Sequence, residues 1–237
     1  MIYHTLAHVY DALVKDDEAT QAWVDFIKKH VSGKELLEVA CGSGEITIAL
    51  SKEGYQIYAS DLSADMIAEA KKKAGSEKIT WSVMDMSKLN LTSNYDGILC
   101  LCDSFNYLLD WDQVISFFQT SYDHLKDNGT LIVDMHSLDR LDEFQEEYNE
   151  AGHVNGIEYQ WTIHCVDDRI YQNFAFYDED GRVTLEQHEQ RVYLPKEIIQ
   201  KLEEIGFEVS VYTDFIYEGI CEGEKQFYVC KKVGDNA

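Results

Sequence analysis

The run ELLEVACGSGEITIAL, residues 35–50, holds a strand-like apolar stretch that ends near an acid, Glu38, turns through Gly42 and Gly44, and resumes with the apolar spacing of a helix. Glycines at that point let the main chain come close to a ligand where a Cβ would clash, so the chemistry on offer is the holding of a ligand against backbone. The same turn also serves as plain structural punctuation. A pyrophosphate-binding GxGxxG turn would need three glycines, and the two frames supply Ala40, Gly42, Glu45 or Gly42, Gly44, Thr47. Two further acids sharpen the reading. In YASDLS, Asp61 ends the next strand-like run, where a carboxylate accepts hydrogen bonds from both hydroxyls of a ribose. In SVMDMS, Asp85 ends the one after, within reach of an adenine amino group, and Met86 offers a backbone amide and a soft apolar wall. Either aspartate alone is also an ordinary helix cap. Three successive strands that each close on an acid are harder to explain as caps.

Such residues meet only if a parallel sheet delivers them to one edge, and the chain has the rhythm of one. A helix with Trp23, Phe26, Ile27 and Val31 on one face stops at Ser32-Gly33, ahead of the run ELLEVA. Then YQIYASD, ADMIAEAKKKA, ITWSVMD, YDGILCLC, a helix from about Trp111 to Leu125, and GTLIVDMHS follow in turn. Alternating strands and helices imply right-handed crossovers and an α/β sheet covered on both faces. After Ser137 the pattern changes to a helix LDEFQEEYNEA and three runs, IEYQWTIHCVDD, RIYQNFAFYDED and RVTLEQHEQRVYL, which predict an antiparallel insertion over 138–194 within a single domain of 237 residues. Pro195 opens the helix PKEIIQKLEEIGF, with Gly206 as its stop. EVSVYTDFIYE and KQFYVCKKV return as a hairpin.

A formal charge of -24 repels nucleic-acid backbones and anionic membranes unless basic residues cluster, and the one lysine run, Lys71 to Lys73, reads as the basic end of a helix. The start MIYHTLAHVYDALV has no basic leader, and no apolar stretch is long enough for a membrane span, so a cytoplasmic location is expected, without membrane or nucleic-acid partners. The six cysteines lack metal-ligand spacing, and Cys100 and Cys102 sit at strand spacing; free thiols and no metal site are expected.

With these residues in view, the chain resembles the class I S-adenosylmethionine-dependent methyltransferases over nearly its whole length. The resemblance implies a Rossmann-like, mostly parallel seven-stranded sheet with helices on both faces, and S-adenosylmethionine as cofactor. It implies that Glu38, Gly42 and Gly44 hold the methionine part, that Asp61 with Leu62 takes the ribose, that Asp85 with Met86 takes the adenine, and that Met66 joins the same wall. Ala40 departs from the family's usual first glycine. YDGILCLCDSFNYL and AHVYDALV are similar to a subgroup of small bacterial methyltransferases related to glycine and aminosugar N-methyltransferases. That likeness implies that Leu101, Cys102 and Asp103 face the methionine moiety and that Tyr10 folds over the cofactor, where its ring would also favour a sulfonium cation.

Methyl transfer from a sulfonium gains chiefly from alignment and exclusion of water, and a base is optional. Asp103, His136 and His188 are the candidates to take a proton from a small-molecule acceptor such as an amine, and Arg191 is a candidate to bind an acceptor's carboxylate or phosphate. Alternation along LEQHEQRVYL sets His188 and Gln190 on one face and Glu189, Arg191 and Tyr193 on the other. The aromatic insertion suits a lid, a homodimer surface or a plain sheet core. Two other classes stay open: a non-catalytic cofactor-binding or interaction module, and an NAD-dependent oxidoreductase, which the incomplete glycine pattern disfavours.

Overall fold

Adjacent residues of the central strands point into two different cores, and this period of two explains their nearly unbroken apolar composition. Leu37, Ile98, Leu131 and Tyr228 enter one core with Phe105, Phe117 and Phe118, whereas their neighbours Leu36, Leu99, Ile132 and Phe227 enter the other with Trp23, Ile27 and Ile48. The structure, a computed structural model, describes residues 11–13, 16–178 and 180–234.

The strands are β1 (Glu35–Val39), β2 (Gln56–Asp61), β3 (Thr80–Val83), β4 (Tyr95–Cys100), β5 (Leu125–His136), β10 (Phe207–Thr213), β11 (Tyr217–Glu218) and β12 (Lys225–Lys232), in the order β11-β10-β12-β5-β4-β1-β2-β3. The pairs among β1 to β5 are parallel; β12 runs antiparallel between β5 and β10. Helices α1 (Asp17–His30), α2 (Glu45–Lys52), α3 (Ala64–Lys72), α4 (Trp111–His124) and α6 (Pro195–Ile205) flank this sheet, and the short α5 (Asp139–Glu143) follows β5. The Rossmann-like α/β architecture is thus as expected. Chain order reverses between β4, β1 and β2, which opens a crevice at their carboxyl ends.

Two elements differ from expectation. The sheet has eight strands where seven are predicted, because the run 208–218 breaks after Thr213: Asp214 and Phe215 take positive φ (49° and 63°), and the chain resumes as the two-residue β11. The segment 141–151 is not one helix. It ends as a helix at Glu143 and becomes β6 (Tyr148–Val154), paired with β7 (Ile157–Val166); β8 (Arg169–Tyr177) and β9 (Val183–Arg191) complete a four-stranded antiparallel insertion, where three runs are predicted. The cause is legible afterwards. Asn155 and Gly156 both lie at positive φ in a two-residue turn, which fits an Asn-Gly hairpin, and Glu150 accepts hydrogen bonds from the Tyr148 and Tyr159 hydroxyls, both 2.6 Å. Cross-strand pairs therefore use residues that a lone helix would have left exposed.

Candidate active site

The loop leaving β1 carries three residues in left-handed backbone: Ala40 (φ 51°), Gly42 (φ 54°) and Gly44 (φ 77°). Ala40 adopts the conformation that glycine favours, so the missing first glycine leaves the turn intact at a cost of about 1 kcal/mol of strain. Asp61, at the end of β2, ties the loop down: one carboxylate oxygen accepts from the Gly42 N–H and the other from the Ser63 N–H, both at 2.8 Å. Burial raises its carboxyl pKa against the N–H groups of Ser63, Gly42 and Leu62, which favour the charge. The two glycines have different reasons to exist. A Cβ on Gly44 would lie 2.5 Å from the Trp81 ring, whereas a Cβ on Gly42 would meet nothing within 4 Å, because Gly42 faces a cleft.

That cleft, about 1010 Å³ counting its open mouth, is lined by Glu38, Ala40, Gly42, Gly44, Asp61, Met66, Leu101 and Cys102. Eight of the residues singled out in the sequence are thereby brought together. Leu62, Asp85 and Met86 line an adjoining cleft of about 860 Å³, which they share with His188 and Gln187 of β9. Tyr107 borders both clefts. Asp85 caps a short turn, its Oδ1 accepting from the Ser87 N–H and hydroxyl at 2.8 and 2.7 Å. Tyr10 lies outside the described residues.

Glu38 is 3 % exposed, and its Oε2 has no hydrogen-bond partner. Burial pushes its carboxyl up to about 7, with the neighbouring Thr47 opposing and Asp61 adding to the rise. An unsatisfied buried carboxylate on a cleft wall calls for a donor from outside the chain.

Asp103, His136 and Arg191 line neither cleft. Cys102 and Asp103 follow β4 with φ of 57° and 52°, two consecutive non-glycine residues in left-handed backbone, and a polar cluster holds them. Asp134 of β5 accepts the Asp103 N–H at 3.0 Å, Gln190 of β9 donates to the Asp103 carboxylate at 2.9 Å, and Lys225 of β12 pairs with Asp103 and, at 3.5 Å, with Asp134. Burial alone would raise Asp103, but Lys225, His136 and Gln190 hold it down to about 2, which makes it a poor base. Asp134 is fully buried and pushed up to about 6 by burial, with Lys225 opposing. His136 is buried, and burial lowers its pKa; its Nε2 sits 3.1 Å from Gln190 Oε1. Asn106 joins these elements, accepting from the His136 N–H at 3.0 Å and donating to the Arg191 carbonyl at 2.6 Å. The expectation for Arg191 needs correcting: its guanidinium is already committed to Asp168 at 2.8 Å and to the Leu109 carbonyl at 3.0 Å, so it ties β9 to the core.

His188 differs from the other two base candidates in lining a cleft. It is 3 % exposed, burial lowers its pKa with Glu186 opposing, and its ring meets those of Tyr107 and Phe174 edge-on. Sequence reasoning missed Asp134, Lys225 and the bordering role of Tyr107. A signal existed for Asp134, an acid in the middle of the apolar run TLIVDMH; Lys225, first of a strand with two more lysines, offered none.

Comparison with known proteins agrees with this geometry. A family profile described as a methyltransferase domain matches residues 36–129. The chain is 32 % identical over 250 residues to a putative methyltransferase of Geobacillus sp. (strain WCH70), covering 98 % of this chain and all of the relative. It is 24 % identical to a glycine/sarcosine N-methyltransferase of Aphanothece halophytica, over 87 % of this chain and 78 % of that one. The crystal structure of an S-adenosylmethionine-dependent methyltransferase from Clostridium acetobutylicum superposes with a TM-score of 0.83 at 27 % identity, covering 98 % of this chain and 99 % of that one.

Proposed function

Because the chain belongs to the S-adenosylmethionine-dependent methyltransferases, we propose that it carries the methyl group of that cofactor to a small amine. The observation behind the cofactor half of this reading is the cleft in which Gly42 has open space where a Cβ would be and one oxygen of the buried Glu38, Oε2, lacks a partner. These residues fit the group: Glu38 and the Ala40–Gly44 backbone would hold its amino-acid end, Asp61 its ribose, and Leu62, Asp85 and Met86 its adenine. When bound, the cofactor supplies an electrophilic methyl on a sulfonium. The chain's own part is to align the acceptor nitrogen with that carbon and exclude water. His188, kept neutral by burial on the wall of the adjoining cleft, is the residue we assign to take the ammonium proton, and Tyr107, between the clefts, to border the acceptor. An amine acceptor accords with the net charge of -24 and with the likeness to a glycine/sarcosine N-methyltransferase.

Calorimetric titration with S-adenosylmethionine, S-adenosylhomocysteine and NAD tests the cofactor half. Saturable binding of the adenosyl ligands is expected, weakened at least about 100-fold in Asp61→Ala, which removes both the ribose acceptor and the tie to Gly42. Binding of NAD alone, or of nothing, would sink the reading. A screen of small amines for methyl transfer tests the acceptor half, with His188→Gln expected to lower turnover about 100-fold, a loss much larger than any change it causes in cofactor affinity.

Glu38 also sets a pH dependence. It faces Asp61 from β2, Thr47 from α2, and the Cys41 and Cys100 thiols, whose pKa values burial raises, so no cation of the described chain competes for it. It loses its proton near pH 7, and the charge it gains attracts a cationic ligand. S-adenosylmethionine affinity should therefore rise by up to about 10-fold from pH 6 to pH 8, and Glu38→Gln should flatten the profile. A profile that is flat in the unmodified protein would rule Glu38 out as the group that meets the ligand's positive charge.

A further inference from the structure

Cys102 and Asp103 adopt left-handed backbone in succession, a conformation disfavoured for any residue with a Cβ, and they do so just past the carboxyl end of β4, where the chain borders the larger cleft. Their side chains go to different places. Cys102 lines the cleft beside Leu101, whereas Asp103 does not and is rooted in the polar cluster behind it. That root is fixed at its N–H, its carbonyl and its carboxylate. Asp134 of β5 accepts the N–H at 3.0 Å, Gln190 of β9 donates to the carbonyl at 3.2 Å and to the carboxylate at 2.9 Å, and Lys225 of β12 pairs with the carboxylate at 2.5 Å. Lys225 also reaches Asp134 at 3.5 Å, so one cation holds both acids. Asp134 is fully buried, and its Oδ1 has no hydrogen-bond partner. Such a set is a poor device for stability alone, since apolar side chains of the same bulk often serve as well or better. Strained backbone, in turn, persists only where its surroundings over-determine it.

We propose that Lys225 is a positioning residue for the cofactor: by joining Asp103 to Asp134 it holds the turn of Leu101 and Cys102 in the shape that receives the ligand's amino-acid end. The inference rests on the cofactor assignment above. Lys225 lines neither cleft, and it acts through Asp103, 122 positions earlier in the chain. Without its charge, the two carboxylates on adjoining strands repel each other, and Asp103 loses the cation that anchors it. The turn is then free to relax toward ordinary backbone, and a ligand must draw it back with a loss of affinity. That loss falls on one end of the ligand. Asp61 and Asp85, at the ribose and adenine positions, are fixed by the N–H groups of Gly42 and Ser63 and of Ser87, and none of these bonds passes through the cluster.

The test is calorimetric titration of the unmodified protein, Lys225→Met and Lys225→Arg with three probes: S-adenosylmethionine, S-adenosylhomocysteine, and 5′-methylthioadenosine, which keeps the adenosine and thioether but lacks the amino-acid end. Lys225→Met should weaken binding of the first two at least about 10-fold and of the third by less than about 3-fold, a split that general loosening of the fold would not produce. Lys225→Arg, whose guanidinium can span both acids, should keep all three within about 3-fold of the unmodified protein. Where Lys225→Met fails to fold, Asp103→Asn takes its place; it removes one charge of the pair at constant size and should show the same selective loss. Equal weakening of all three probes, no weakening of any, or a loss in Lys225→Arg as large as that in Lys225→Met would overturn the positioning role and leave the cofactor assignment standing. Binding of none of the three by the unmodified protein would overturn both.

Discussion

Replacing Lys225 by methionine is expected to destabilise the fold by about 3 kcal/mol at pH 8, read as a lower urea midpoint. Lys225 is the cation between Asp103 and Asp134, and methionine keeps the bulk of its stem while removing the charge. Asp134 is wholly buried, and without Lys225 it must either stay charged in an apolar strand or keep its proton. The penalty should therefore depend on pH in a definite direction. Asp103, held at about 2 against an ordinary 3.8, stabilises the folded state above that ordinary value and loses the contribution as pH falls through 2. Asp134, raised to about 6, has the opposite sign: above 6 its charge is a burden that Lys225 offsets. Loss of Lys225 should thus cost most at pH 8 and clearly less at pH 5, where Asp134 takes up a proton. Asp134→Asn in the same chain should recover part of the loss. A loss below about 1 kcal/mol, unchanged between pH 5 and pH 8, would mean that solvent reaches the cluster and screens it.

Gly44→Ala should cost a further about 3 kcal/mol, from two sources. A φ of 77° strains any residue with a Cβ by about 1 kcal/mol, and the added methyl would press within 2.5 Å of the Trp81 ring and 3.2 Å of Ala70 Cβ. Trp81 has little room to yield, because its indole N–H donates to the Ser76 carbonyl at 3.0 Å. Gly42→Ala separates the two sources: it meets nothing within 4 Å, so it should cost only the strain and express its damage as weaker cofactor binding. Equal urea midpoints for the two variants would show that the Trp81 contact relaxes freely. Ala40→Gly completes the set, with a neutral to slightly stabilising effect expected, as relief of a left-handed alanine is partly offset by a more flexible unfolded chain.

What could be read from the sequence was whatever depends on neighbours in the chain. The turn of Gly42 and Gly44, the acids Glu38 and Asp61, Pro195 at a helix start and Gly206 at its stop all act over a few residues, and each lies where its local pattern put it. The errors came from partners far away. LDEFQEEYNEA scans as a helix until the strand 157–166 is available to pair with it. Arg191 has the look of a ligand-binding residue until Asp168 and Leu109 claim it. Asp103 is an apparent base until Lys225, 122 positions on, fixes its charge. The Asn155-Gly156 turn was the exception, a local signal that was present and outweighed by the acidic run before it.

That separation has a consequence for the order in which the molecule acquires its parts. The cleft beside Gly42 draws on strands within the first hundred residues, whose parallel pairings span up to about 60 positions, as between Leu36 and Gly97. The cluster behind Cys102 and Asp103 needs Gln190 and Lys225, so it closes only after the insertion has paired and the last strand has slid between β5 and β10. Until the last strand is in place, Asp103 and Asp134 lie side by side without the cation that separates their charges.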